Sequence, residues 1–339
     1  MDISYVLVTG ATGFIGAHVV DVLLHRGLKV RGATRSKKKA QAMLDARPNH
    51  STKLDFVQIQ DFERTGVFDG AVKDVDAVIH VASPFTYDTK DNEKELIIPA
   101  INGVRSILSA AASPNSKVKR VVVTSSFAAV LDINRKTPPF FTYTSADWNP
   151  LTYAEATAPE TNSVVAYRGS KKFAELEVWN YLQSEKPKFD VVTLCPPMTF
   201  GPVVHPVDKV EDLNESNAQL WKIATGATPL PVTRVPFWID VRDLADAHAQ
   251  ALLRPEAGNK RYTPASPEHF SYALAANIML EEFSWAKGKI SEEEQAIDKS
   301  YGLDGETVTR ELGVKYRSFK ETVVDLVSQA WDMEKQSDV

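Results

Sequence analysis

Short β-branched runs alternate with longer amphipathic stretches over the first two-thirds of the chain. Tyr5-Val6-Leu7-Val8-Thr9 is apolar almost throughout, as expected of a strand with both faces covered. Lys29 to Thr34, Leu54 to Ile59, Val75 to Ala82, Val118 to Ser125 and Phe189 to Cys195 read the same way. Between them, apolar residues recur at helical spacing from Gly13 to Arg26, Lys37 to Ala46, Glu93 to Ala112 and Val164 to Glu185. Gly27, Pro48 and Pro114 stop the first three of these helices. The alternation of strands and helices predicts βαβ units on a parallel, doubly wound α/β sheet.

The texture changes after Cys195. Prolines crowd in at positions 196, 197, 202, 206, 229, 231 and 236. Asn214 to Thr225 reads as a helix stopped by Gly226, and Phe319 to Met333 as a last helix whose apolar stripe docks on the body. Ile290 to Gly305 is polar and acidic, which predicts surface. Repeats and low-complexity tracts are not evident.

Composition narrows the classes. With 339 residues, 43% of them apolar and 24% charged, the chain has material for a sizeable core. A net charge of -5 argues against nucleic acid as a partner. Cys195 is the single cysteine, so no intrachain disulfide forms, which fits a reducing, cytoplasmic setting. Val6 to Leu24 is interrupted by Gly10, Gly13, Gly16, His18 and Asp21, so no membrane span is expected there, and Asp2 stands where a secretory signal would be basic. Asn49-His50-Ser51 and Asn214-Glu215-Ser216 are then chance glycosylation patterns. Metal spacing is absent among the histidines.

Three motifs carry chemistry. Gly10-Ala11-Thr12-Gly13-Phe14-Ile15-Gly16 lies where the first strand turns into the first helix. Glycines there allow a tight turn and close approach of backbone to a diphosphate, and the helix N-terminus offers free N–H groups. Arg35 follows the second strand, where an NAD enzyme would carry an acid for the ribose 2′-hydroxyl; arginine suits a 2′-phosphate, so NADP(H) is the expected cofactor. Lys37 and Lys38 read as a solvated helix start. Tyr167-Arg168-Gly169-Ser170-Lys171 sets a phenol and an ammonium one turn apart on one helix face, where the cation favours phenolate. Thr124-Ser125-Ser126 closes the valine-rich strand at the carboxyl edge of the sheet, where a serine can hold a substrate oxygen. The expected division is a Rossmann-type core over 1–195, with 236–255 returning to it, and a smaller C-terminal substrate-binding lobe made of 196–235 and 256–339.

Together with Asp240-Val241-Arg242-Asp243, these motifs resemble the extended short-chain dehydrogenase/reductases. His80-Val81-Ala82-Ser83-Pro84-Phe85, Pro99-Ala100-Ile101-Asn102-Gly103-Val104, Trp148-Asn149-Pro150 and Ala166 to Glu175 narrow the resemblance. They are similar to the fungal NADPH-dependent carbonyl reductases, the methylglyoxal and aldehyde reductase group, related to plant dihydroflavonol reductases. The resemblance implies Ser126 as catalytic serine, Tyr167 as proton donor and Lys171 as the lysine that binds the nicotinamide ribose and tunes the tyrosine. It implies Arg35 and Lys39 at the 2′-phosphate, Asp61 and Phe62 beside the adenine, and Val81, Ala82, Ser83 and Thr124 along the cofactor. Pro196 to Thr199 would lie under the nicotinamide, with Ser216 a further contact, and Asn102 in a proton relay or a structural role. Family members often carry Asn-Pro where this chain has Cys195-Pro196, followed by Pro197. An apolar substrate pocket is expected at Phe85, Phe127, Leu131, Val165, Met198 and Trp238.

Asp240 and Asp243 precede a helix and read as caps or structural pairs. His80 and Cys195 read as packed residues. The expected activity is NADPH-dependent reduction of ketones and aldehydes to alcohols. A sugar-nucleotide epimerase or hydroxysteroid dehydrogenase on the same scaffold, and a non-catalytic NADP-binding sensor, are the alternatives. Monomer and homodimer are both open.

Overall fold

The structure, a computed structural model, describes residues 2–83, 89–135 and 140–337. Its elements run β1 (Tyr5–Thr9), α1 (Phe14–His25), β2 (Lys29–Thr34), α2 (Lys37–Asp45), β3 (Leu54–Gln58), β4 (Ala77–His80), α3 (Ile98–Ala111), β5 (Arg120–Thr124) and β6 (Phe141–Tyr143). There follow α4 (Tyr153–Thr157), α5 (Ser163–Glu185), β7 (Asp190–Leu194), β8 (Met198–Phe200), α6 (Glu215–Ala224), β9 (Trp238–Asp240) and α7 (Val241–Leu253). The chain ends with β10 (Lys260–Tyr262), α8 (Tyr272–Glu282), β11 (Tyr301–Leu303), α9 (Glu306–Leu312) and α10 (Phe319–Ser337).

Seven strands form one parallel sheet in the order β10-β7-β5-β4-β1-β2-β3. Side chains alternate across each strand, and the two faces bury different partners. Val6 and Val8 of β1 join a core with α1 and α7, whereas Tyr5 and Leu7 join a second core with α3 and α5. That is why β1, β5 and β7 are apolar nearly end to end, and the fold is the doubly wound α/β sheet the pattern predicts. Arg120 is fully buried at the foot of β5. It donates to Asp190 Oδ1 at 2.6 Å and to the carbonyls of Ala251 and Pro255 at 2.9 and 3.1 Å, satisfying the C-terminal end of α7.

A third core fills the C-terminal lobe, around Phe200, Trp221, Trp238, Phe270, Phe319 and Leu326. The expected boundary at residue 255 needs correction. β10 pairs in register with β7, and Val308 and Leu312 of α9 enter the same core as α1, so 256–339 is not one continuous piece of lobe. At three residues, Lys-Arg-Tyr, β10 is too short and polar to show as a strand in the pattern. The expected helix from Glu93 also divides: a π-helical turn over Glu93–Ile97 precedes α3, whose start is marked by Pro99, a residue with no N–H to donate. The acidic stretch 290–305 is more than surface. Gln295 accepts from Thr233 Oγ1 and Ala273 N at 3.1 and 3.3 Å and donates to Pro231 O at 2.8 Å, and β11 pairs in parallel with β6.

Candidate active site

The glycine turn is built for close backbone packing. Gly10 adopts φ +67°, the left-handed region that favours glycine, and its carbonyl accepts from Gly13 N at 3.0 Å. A Cβ on Gly16 would stand 2.1 Å from that carbonyl oxygen. Gly13 caps α1 without a side-chain hydrogen bond, and the first turn holds no acid. The N–H groups of Phe14 and Ile15 fall in the first turn, where a helix has no carbonyl of its own to accept them, at the positive end of its dipole, which fits a diphosphate. Thr12 and Thr34 hydroxyls share a hydrogen bond of 2.9 Å, tying this turn to the end of β2.

Arg35 follows at once and is exposed, its carbonyl held by Gln58 Nε2 at 3.0 Å. Ser36 caps α2 by accepting from Lys39 N at 3.2 Å, so the Lys39 side chain starts one turn into the helix, exposed on the same edge. Asp61 and Phe62 lie past β3; Asp61 accepts from Glu63 N at 2.9 Å and Phe62 stands edge-on to Phe68. Lys38 is paired with Asp208 at 3.2 Å.

Tyr167 and Lys171 lie on α5, which starts on an Asn162 cap accepting from Val165 N at 3.0 Å. Lys171 is buried, with Nζ 5.5 Å from the centroid of the Tyr167 ring and donating to Ser83 Oγ at 2.8 Å. Burial lowers its pKa to about 8. His80, at the end of β4, is buried with Nδ1 2.9 Å from Thr9 Oγ1. Its pKa falls to about 4, chiefly by desolvation and then by the charge of Lys171, so the imidazole is neutral. Ser126 ends the β5 segment in extended conformation, and its Oγ accepts from Ala128 N at 3.1 Å as the cap of a 3-10 turn that α5 packs against. Thr124, beside it, shares a 2.7 Å hydrogen bond with buried His248 of α7. Pro196 accepts from Phe127 N at 2.9 Å, and Ser216 donates to Thr199 O at 2.5 Å, joining β8 to α6. Val81 and Ala82 are half-buried and Ser83 is exposed.

Of the expected pocket residues, Phe127 and Leu131 are 3% and 8% exposed and Trp238 has no exposed surface. Phe127 packs edge-on to Tyr143 and Phe237, and Trp238 to Phe319 in the lobe core. These three are core side chains and not an open wall; apolar residues next to a motif look alike in sequence whichever way they face. Val165 and Met198 are half-exposed, and Phe85 lies outside the described residues. Asp240 caps α7 by accepting from Arg242 N at 2.8 Å, and Asp243 pairs with Arg317, as expected of structural carboxylates.

Sequence reasoning missed a buried polar cluster behind Ser126. Glu175 accepts from Ser125, Thr193 and Arg261. Its one available signal is its position, four residues past Lys171 on the same helix face.

Among the described residues, no group of three or more His, Cys, Asp or Glu could hold a metal ion, and no helix is long and apolar enough to cross a membrane. The model of the NAD dependent epimerase/dehydratase family matches residues 6–265. An uncharacterized oxidoreductase of Schizosaccharomyces pombe is 38% identical, covering 98% of each chain. The NADPH-dependent methylglyoxal reductase of Saccharomyces cerevisiae is 35% identical over 96% of this chain and 97% of that one. The crystal structure of yeast methylglyoxal/isovaleraldehyde reductase complexed with NADPH superposes with a TM-score of 0.87 at 34% identity, covering 98% of this chain and 99% of that one.

Proposed function

Because the chain belongs to the NAD dependent epimerase/dehydratase family, we propose that it is an NADPH-dependent reductase of small aldehydes and ketones. The observation that carries this reading is Lys171, buried one helical turn from Tyr167 with its Nζ over the phenol ring, on a helix packed against the turn that Ser126 caps. A desolvated ammonium stabilises phenolate and brings the tyrosine proton within reach of neutral chemistry.

Bound NADPH would supply the hydride for the carbonyl carbon. Tyr167 gives its proton to the carbonyl oxygen as negative charge builds there. Ser126, whose Oγ already accepts from Ala128 N, offers its O–H to the same oxygen. Lys171 stabilises the phenolate left behind and can donate to the ribose hydroxyls. Backbone N–H groups of Phe14 and Ile15 would hold the diphosphate, and Arg35 with Lys39 the 2′-phosphate. The substrate is a small molecule, and the single buried Cys195 fits a reducing, cytoplasmic setting.

Tyr167→Phe tests the chemistry. Carbonyl-dependent NADPH oxidation should fall by at least about 100-fold, the upper reach of lost acid catalysis being nearer 10,000-fold, while NADPH affinity stays unchanged. Substantial residual turnover defeats the assignment. Parallel rates with NADH test the phosphate contacts: equal rates with both cofactors would remove the role given to Arg35.

A further inference from the structure

Behind the proposed catalytic side chains lies a carboxylate that the reaction itself does not use. Glu175 is 1% exposed. It accepts from Ser125 Oγ at 2.6 Å, Thr193 Oγ1 at 2.7 Å, and Arg261 Nε and Nη2 at 2.7 and 3.1 Å. The Cys195 thiol points at it from 3.4 Å, and burial followed by the carboxylate's charge pushes that thiol's pKa up, keeping it a donor. Arg261 in turn donates to the carbonyls of Ser145 and Asp147 and stacks 3.8 Å over the Trp148 ring. One buried ion pair thus joins α5, the ends of β5 and β7, β10 and the loop before α4.

The placement matters more than the pair's energy. Replacing a buried ion pair by apolar residues is often neutral or stabilising, so stability alone is a poor reason for one to stand here. Glu175 shares its helix face with Lys171 and Tyr167, at i+4 and i+8. Ser125 precedes Ser126 directly. The Glu175–Ser125 bond therefore links the same two elements, α5 and the end of β5, whose spacing sets how Ser126 faces Tyr167.

We propose that Glu175, clamped by Arg261, is a positioning residue that fixes Ser126 relative to Tyr167 and Lys171. This rests on the reading of the site given above. Its geometry gives a specific signature: loosening the link disturbs the arrangement reached in the transition state and leaves cofactor binding, at the glycine turn and Arg35, alone.

Ser125→Ala removes one hydrogen bond from the link at small structural cost, and Glu175→Gln removes its charge. In the full-length protein, with NADPH and a small aldehyde, Ser125→Ala should lower kcat about 10- to 100-fold, as a displacement of order 1 Å does, with KM and NADPH Kd within about twofold of wild type. Glu175→Gln should move the same parameters further, read per NADPH-binding site so that unfolded protein does not count. Unchanged kcat in Ser125→Ala overturns the proposal. So does a fall in melting temperature with kcat per NADPH-binding site preserved, which is the mark of a merely structural pair. A wild type that binds NADPH and reduces no carbonyl overturns the underlying reading and the positioning role together; an active wild type with unaffected variants overturns the positioning role alone.

Discussion

Lys171 is under two opposed demands. Its charge must survive to stabilise the Tyr167 phenolate, yet its Nζ is buried, and desolvation alone lowers its pKa to about 8. A lysine near the surface would keep its proton to about pH 10. The consequence is an alkaline limb in the rate. As pH rises through about 8, Lys171 loses its proton and the phenolate loses its stabilising cation. We expect kcat/KM for a carbonyl substrate to be highest below that pH and to fall about tenfold per unit above it, the slope of a single ionisation. A profile flat to pH 9.5 would mean that Lys171 stays charged despite its burial, or that its charge does not matter. Ser83, whose Oγ accepts from this buried amine at 2.8 Å, is itself an exposed residue.

At the scale of elements, the parts of the site that one stretch of chain can specify were legible, and those made by tertiary contact were not. The β1–α1 turn needs three glycines within seven residues, and Tyr167 and Lys171 need one helical turn. Arg261 meets Glu175 across 86 residues of sequence, and nothing local to either announces the other. The strands β6 and β11, three residues each, pair across a still longer interval. Trp238 failed for a related reason: its indole is apolar and adjacent to a motif, but which core it enters depends on α10, whose Phe319 covers it. The glycine turn also carries a sharp prediction. Gly16→Ala places a methyl 2.1 Å from the Gly10 carbonyl oxygen, backbone against side chain, with no flexible partner to yield. Overpacking of this kind costs about 1–3 kcal/mol, and here the strain falls on the turn itself. The variant should melt lower than wild type and lose NADPH affinity together, measured by thermal unfolding and fluorescence titration; a stable variant with intact affinity would show that the turn can relax.

Across the whole molecule, three histidines, His80 and His248 buried and His205 half-buried, share one property. His80 lies near Lys171, His248 against Thr124 and His205 against Phe14, and each has its pKa lowered to about 4, mainly by desolvation. In the unfolded chain an ordinary histidine titrates near 6.5. Between those values the unfolded chain binds protons that the native protein refuses, so unfolding takes up protons and stability rises with pH. Asp243 opposes them: burial raises it to about 6, so between its ordinary value of 3.8 and 6 the native state holds a proton that the unfolded state has lost. Burial also lowers His18 and His269 and raises Glu63, so the lowered histidines outnumber the raised carboxyls and set the net sign. Carboxylates held low by hydrogen bonds, such as Asp76 and Glu311, withdraw their contribution only once pH falls through the ordinary carboxylate range. From pH 7 to 5 the histidines therefore dominate, with Asp243 cancelling part of their effect. Urea unfolding at constant ionic strength should give a midpoint that falls steadily from pH 7 to pH 5, above the range in which the low-lying carboxylates protonate. A midpoint that holds or rises over that interval would mean that these imidazoles gain their protons without unfolding, and that the carboxyl edge of the sheet admits water more freely than their burial implies.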